Sequence, residues 1–330
     1  MCIIIKLRNQ RRNYDMAKTV TIGKSDVTTT PLGLGTNAVG GHNLFPNLDE
    51  EAGMAAVRAA LDSGITLLDT AFAYGLGRSE ELIGKVLKDY DRSKVIVATK
   101  GAQIVHDGQT TISNQPDDLK RFVEASLKRL QTDYLDIFYI HFPDETTAKD
   151  QAVATLQSLK EQGLIRAIGV SNFSLQQLKQ ANKNHQVDVI ENQYSLVHRQ
   201  PERDLFPYLR SEHISFVPFF PLASGLLTGK YENQPQSFPK DDMRSQDPNF
   251  SGNRFKAINE AVAGLSPIAA NHDATIAQTV LAWYIKNPDV TAVIPGAKTP
   301  EQVTSNAKAL NISLTDEEYN MIDNAFKPFE

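Results

Sequence analysis

Two patterns of apolar residues alternate along the chain. Short runs of branched aliphatic and aromatic residues, such as ITLLD (65–69), KVIVAT (94–99) and YLDIFYI (134–140), are the pattern of parallel strands buried on both faces. They place strands at 32–35, 65–69, 94–99, 135–140, 167–170, 187–191, 214–218 and 291–294. Between them, apolar residues recur at three- and four-residue spacing, which predicts helices at 50–63, 79–88, 117–130, 149–162, 174–183, 202–212, 273–286 and 300–309. In EEAGMAAVRAALDSG the apolar stripe of Met54, Val57, Ala60 and Leu61 stops at Gly64, a residue that suits a helix end. Ser174 and the Thr299–Pro300 pair are placed as helix starts.

Segments VTI (20–22) and VTT (27–29) form a predicted hairpin ahead of the alternation. Eight strand–helix units then point to the α/β class, as a closed (β/α)8 TIM barrel with an N-terminal β-hairpin and long carboxyl-face loops. An open doubly wound sheet uses the same elements but usually has fewer strands. The interval 223–272 is too long for an ordinary connection and rich in Gly, Pro, Asp and Asn, so it is expected to be a large surface loop over the carboxyl face. Residues 16–330 are expected to make a single domain. The short apolar stretch of residues 1–15 precedes basic residues, the reverse of a signal peptide, and the stretch after Met16, AKTVTIGKSDVTTTPLGLGT, reads as the opening of the fold, so residues 1–15 are expected to be a disordered extension.

Composition narrows the function classes. Hydrophobic residues make up 41% and charged residues 22% of 330, and the net charge is −5 without a basic tract. This gives no electrostatic footprint for nucleic acid or an anionic membrane. No apolar run is long enough for a membrane span. The lone cysteine, Cys2, excludes an internal disulfide and a cysteine-based zinc site, and a cytoplasmic location is the expectation. GLGTNA (33–38) matches a dinucleotide fingerprint, but VGGHNLFPN follows with two glycines and a proline. No helix is expected there, which disfavours a Rossmann domain.

The candidate chemistry sits where the apolar runs stop. Asp69, Tyr74, Lys100 and His141 lie at or just beyond the ends of three predicted strands, the end at which α/β barrels do chemistry. A phenol is a weak acid near neutrality, and an adjacent ammonium favours its anion. Tyr74 as acid, Lys100 as its tuner, Asp69 as the partner of Lys100 and His141 as a donor to a substrate carbonyl form one coherent set. Each also has a plainer role: Asp69 capping a turn, Lys100 solvated, His141 a satisfied buried histidine.

The segments LDTAFAYG, VIVATKG, FYIHFP and IGVSNFS resemble four signature regions of the aldo-keto reductases, and the resemblance runs from about residue 18 to 325. GTNAVGGHNLFPN, FFPLASGLLTGKY and IPGAK are most similar to the bacterial general-stress branch of that superfamily. The resemblance implies NADP(H)-dependent reduction of a small-molecule carbonyl without a metal, with NAD(H) as the alternative cofactor. It implies that Ser171, Asn172 and Gln193 hold the nicotinamide amide and that Phe219 stacks on the ring. Pro221, Leu222, Ser224, Gly225, Leu226, Gly229 and Lys230 would follow the pyrophosphate, with Arg244 in the covering loop and Gly35, Thr36 and Gly296 beside the cofactor. At the 2′-phosphate, Gln302 stands where many members have Arg. Lys298 is then the charged contact, supported by Thr299, Gln302 and Asn306, and discrimination against NAD(H) is expected to be weaker. Phe45 and Phe142 would line the substrate pocket. The rival reading is a regulatory NADP(H)-binding module resembling the potassium-channel β subunits. For the enzyme, no obligate protein partner is expected.

Overall fold

The computed structural model describes residues 18–231, 237–240 and 242–329. The expected disordered extension, residues 1–15, lies outside the described residues. Seven parallel strands follow one another around a barrel: β3 (Gly33–Gly35), β4 (Leu67–Asp69), β5 (Ile96–Gly101), β8 (Leu135–Ile140), β9 (Ile165–Ser171), β10 (Val189–Gln193) and β11 (Ser215–Phe219). The eighth position differs from the expected continuous strand at 291–294. It closes the barrel through isolated parallel bridges, Leu32 with Val293 and Gly35 with Gly296, and through the Thr291 amide donating to the Phe216 carbonyl. The expected N-terminal hairpin forms as β1 (Val20–Thr21) paired with β2 (Thr28–Thr29).

Side chains alternate between two apolar layers, as two-residue periodicity requires. Leu67, Ile96, Ala98, Ile137, Tyr139, Ala167, Val189 and Val217 fill the barrel interior together with Ile22 and Val27 of the hairpin segment. The Thr29 hydroxyl and Thr66 hydroxyl are 2.9 Å apart, and the Gly23 amide donates to Ser215 Oγ at 2.7 Å, so the hairpin covers the amino-terminal end of the barrel. Leu68, Val97, Phe138, Ile168, Ile190 and Phe216 point outward and pack beneath the helices. Among the described residues, no helix is long and apolar enough to cross a membrane.

Two local expectations do not hold, and one further element was not foreseen. The interval 223–272 is not a bare loop but carries a 3-10 segment at Ala223–Thr228 and helices at Gly252–Ala263 and Ser266–Asn271. Phe255, Ile258 and Val262, at helical spacing, bury one face of the longer helix, and Tyr231 packs its ring 5.7 Å from Phe250 and 6.1 Å from Phe255. A single helical turn, Asn37–Gly40, follows the GLGTNA segment where no helix was expected, although it is only 4 residues long. A second hairpin, β6 (Gln103–His106) and β7 (Gln109–Ile112), extends from the end of β5 around an Asp107–Gly108 turn.

The turn that follows β4 is sterically tight. Gly75 has φ +70°, and a Cβ there would lie 1.9 Å from the Gly40 carbonyl oxygen, whereas Gly108, with φ +74°, faces open space. Gly108→Ala is therefore expected to cost only the left-handed backbone penalty, about 1–2 kcal/mol. Gly75→Ala should cost more than this and lower the activity, because the collision displaces the turn carrying Tyr74. Urea denaturation of both variants checks the order; equal losses would show that the close approach to Gly40 is unimportant.

Candidate active site

Strand register brings the four predicted polar residues together. Asp69 ends β4 and pairs in register with Ala98, while Lys100 near the end of β5 pairs with Tyr139 of β8, one pair before His141 follows that strand. The Thr36 amide and hydroxyl both donate to the Asp69 carbonyl, at 2.9 and 2.8 Å. Tyr74 rides on a turn held by Asn43, which donates to the Ala73 carbonyl at 3.0 Å and accepts from the Gly75 amide at 2.8 Å.

Lys100 is fully buried at the centre of this group. Its ammonium donates to Asp69 Oδ1 and, at 3.0 Å, to the Thr70 carbonyl. It also lies 3.3 Å from Glu191 Oε2, a contact that the sequence reading missed. The Tyr74 ring centroid is 5.4 Å from Lys100 Nζ, and the Tyr74 and His141 rings meet edge-on with centroids 6.5 Å apart. Phe142 stacks on His141 at 4.5 Å.

The charges in this enclosure settle the protonation states. Burial alone would push the Lys100 amine down, but Asp69, Glu191 and Tyr74 more than reverse this and hold it above the ordinary lysine range. Burial raises the Tyr74 phenol; Lys100 pulls it back, and Asp69 and Glu191 push it up again. The net result is a phenol above its usual range: Lys100 acts in the expected downward direction, but burial and the two carboxyls outweigh it. Burial, then the nearby Lys100 charge, lowers His141 to about 3, so its imidazole is neutral near physiological pH. Burial raises Glu191 well above the carboxylate range, helped by Asp69.

A further neighbour escaped the sequence reading. Gln103 Nε2 lies 3.2 Å from His141 Nδ1 on β6, and donation there leaves the ring proton on Nε2. An Asp-Gly pair between IVH and QTTI is a hairpin signal that would have revealed this element. Glu191 had its own signal, an acidic residue closing the apolar run VDVI.

The residues expected beside a cofactor gather around the same end of the barrel, with varied engagements. Asn172, at φ +60°, donates to the His141 carbonyl and to Ser171 Oγ, both at 3.0 Å. Gln193 is exposed two residues beyond Glu191, and Phe219 is half-buried at the end of β11. Ala223, Ser224 and Gly225 all have positive φ, and a Cβ on Gly225 would lie 2.4 Å from Lys230 Nζ. Leu226 is fully buried in the outer core, leaving only its backbone for a ligand, and the Pro221 carbonyl accepts from Tyr284 at 2.8 Å. Leu222 is half-buried, and Gly229, at φ +78°, packs toward Ile276. Gly35 and Gly296 form the bridge that closes the barrel, where a Cβ on Gly296 would meet Asn37 Oδ1 at 3.2 Å.

Arg244 is held by Asp242, donating through Nε at 2.9 Å, and lies 4.3 Å from the Phe238 ring. Gln302 accepts from the Lys298 amide at 2.8 Å, while Thr299 caps the Pro300–Ala307 helix and Asn306 is half-buried near its end. The Lys298 ammonium lies 4.7 Å from the Phe45 ring, which joins the expected phosphate contact to the expected pocket wall.

Comparisons with known proteins place the chain in a family. The family model described as "Aldo/keto reductase family" matches residues 31–327. The chain is 33% identical over 313 residues to the NADH-specific methylglyoxal reductase of Escherichia coli strain K12, covering 91% of this chain and 95% of that protein. The glycerol dehydrogenase AKR11B4 from Gluconobacter oxydans superposes with a TM-score of 0.86 at 33% identity, covering 94% of this chain and 95% of that one. An aldo-keto reductase from Klebsiella pneumoniae, solved in complex with NADPH, gives a TM-score of 0.71 at 28% identity over 94% of this chain and 95% of its own.

The depressed His141 predicts a pH dependence of stability. The unfolded imidazole takes up a proton near its ordinary value of 6.5, whereas the folded one waits until about 3. Between these values the unfolded state binds more protons, so stability falls as the pH drops. His141→Gln should remove about 1 kcal/mol of the loss between pH 7.5 and 5.5. Urea titrations at the two pH values measure it, and an unchanged slope would place the His141 ring in water.

Proposed function

The chain belongs to the aldo/keto reductase family, and we propose that it is an NADP(H)-dependent oxidoreductase that reduces small aldehydes and ketones to alcohols with Tyr74 as general acid. The observation that carries this reading is the fully buried Lys100 ammonium 5.4 Å from the Tyr74 ring, with a neutral His141 ring at 6.5 Å. When bound, the nicotinamide supplies a hydride to the carbonyl carbon. Tyr74 holds its proton firmly and releases it only to a strong base, the alkoxide oxygen that forms when the carbonyl accepts hydride. Lys100 then faces the phenolate left behind and stabilises it. With Nδ1 occupied by Gln103, His141 presents its Nε2 proton to the same oxygen and polarises it.

The chain's residues fit a nicotinamide dinucleotide. Ser171 and Asn172 offer a hydroxyl and an amide adjoining His141, and the left-handed run Ala223–Gly225 brings backbone close to Lys230. Lys298 supplies positive charge for a 2′-phosphate, while the Thr299 and Gln302 side chains already serve the adjacent helix start. A single ammonium lacks the fork of an arginine, so the preference for NADPH over NADH is modest. Names among the relatives span both cofactors and small oxygenated substrates, methylglyoxal in one and glycerol in another. Half-buried Phe45 and Phe142 beside His141 and Lys298 match a pocket for a short or aromatic aldehyde.

Tyr74→Phe is expected to lower kcat by at least about a hundredfold while the NADPH Kd stays within about threefold. Turnover is read from the absorbance of reduced nicotinamide with a panel of aldehydes, and binding from its fluorescence. Reduction at the wild-type rate would remove Tyr74 from the chemistry. Tight NADPH binding by the wild-type protein without turnover of any carbonyl would favour the regulatory-module reading. Lys298→Ala should cut kcat/KM with NADPH about tenfold and leave NADH almost unchanged; equal losses with both cofactors would place the 2′-phosphate contact elsewhere.

A further inference from the structure

The mechanism above uses one carboxyl, Asp69, to orient Lys100, yet the barrel places a second one beside it. Glu191 is 2% exposed. Its Oε2 lies 3.3 Å from Lys100 Nζ but makes no aligned hydrogen bond, so Asp69 takes the direct one. Charge counting decides the protonation of this cluster. A buried ammonium with two carboxylates has a net negative charge that nothing nearby offsets, whereas one ammonium, one carboxylate and one carboxylic acid are neutral. The proton resides on Glu191, the carboxyl without the direct bond to Lys100.

The groups facing Glu191 are few. They are Asp69 from β4, Lys100 from β5, Tyr139 from β8 and Tyr74 from the turn after β4. Its register partners on the flanking strands, Ser171 of β9 and Val217 of β11, do not titrate.

We propose that Glu191 is a positioning residue of this site: a buried carboxylic acid beside the Lys100 ammonium, whose ionisation in alkaline solution tightens the hold of Tyr74 on its own proton. The proposal rests on the reading of Tyr74 as the general acid. At neutral pH the cluster is electrically balanced, and Lys100 is free to stabilise the phenolate formed at each turnover. As the pH rises, loss of the Glu191 proton adds a negative charge 3.3 Å from the Lys100 ammonium, which itself lies 5.4 Å from the Tyr74 ring. Like charge disfavours the phenolate, so the phenol remains protonated further into alkaline solution than it would without Glu191. Glu191 thereby extends the alkaline range over which the enzyme works as a reductase and delays the dehydrogenase direction, which needs the phenolate.

Two measurements test this. Infrared spectra of the wild-type protein, with and without 13C at the glutamate side-chain carboxyls, are compared at pH 7. A protonated-carboxyl C=O band that moves with the label is expected, because Glu80, the other buried glutamate among the described residues, is paired with Arg129 at 2.5 Å. Absence of such a band overturns the proposal. In Glu191→Gln, the alkaline limb of kcat/KM for carbonyl reduction should move down by about one pH unit, and the rise of alcohol oxidation should move with it. A merely structural role would lower the rates without shifting either limb, and unmoved limbs likewise overturn the proposal. Should Glu191→Gln fail to fold, the labelled wild-type spectrum decides alone. Should the wild-type protein turn over no carbonyl, the reductase reading fails and the spectrum still reports on the Glu191 proton.

Discussion

A lysine charge enclosed by the barrel is the constraint around which the upper part of this structure is arranged. An ammonium removed from water is costly unless carboxylates and carbonyls replace its hydration. Lys100, on β5, receives that replacement from Asp69 and the Thr70 carbonyl at the end of β4 and from Glu191 on β10. The arrangement holds the ends of β4, β5 and β10 in one relation. The same charge reaches outward, pulling against the forces that raise the Tyr74 phenol and helping to keep His141 neutral. One buried cation thus contributes both to the local architecture and to the protonation states that the chemistry needs.

The supporting pieces come from outside the barrel strands. Asn43 pins the Tyr74 turn from the segment after β3, and Arg78 from the helix after that turn grips Glu50 with two hydrogen bonds, at 2.7 and 2.6 Å. Gln103 reaches His141 from the β6–β7 hairpin. Loops that connect rigid strands commonly carry function in this way, since the scaffold fixes where each loop begins while its own sequence varies. The Lys298–Phe45 contact extends the principle, tying the loop after β3 to the loop following the last bridge.

Much of this was legible in the sequence because the barrel imposes one simple rule. A strand covered on both faces must be apolar until it emerges, so the abrupt stops at Asp69, Lys100 and His141 marked the carboxyl face. Glu191 obeys the same rule, but its contact with Lys100 depends on the stagger between strands that are distant in sequence. No local pattern in ENQ reveals that Glu191 shares the buried layer with Lys100 while Gln193 stands exposed. The helix at Gly252–Ala263 was obscured for a different reason: the Gly, Asp and Asn residues just before it read as loop and masked the spacing of Phe255, Ile258 and Val262. The sign of the Tyr74 shift was also beyond a pairwise argument. Lys100 does lower the phenol, but burial and two carboxyls outweigh it, and only the three-dimensional arrangement shows which wins.

The central claim is that Lys100 remains an ammonium inside the barrel because Asp69 and Glu191 face it. Nitrogen-15 NMR of the lysine side chains, with the Lys100 signal assigned by substitution, follows that proton directly as the pH is raised. The account predicts that Lys100 is still charged after the surface lysines have titrated near their ordinary value of about 10.4. A Lys100 signal that becomes an amine below that value would mean that burial prevails over the two carboxyls, and the electrostatic basis of the site would be contradicted.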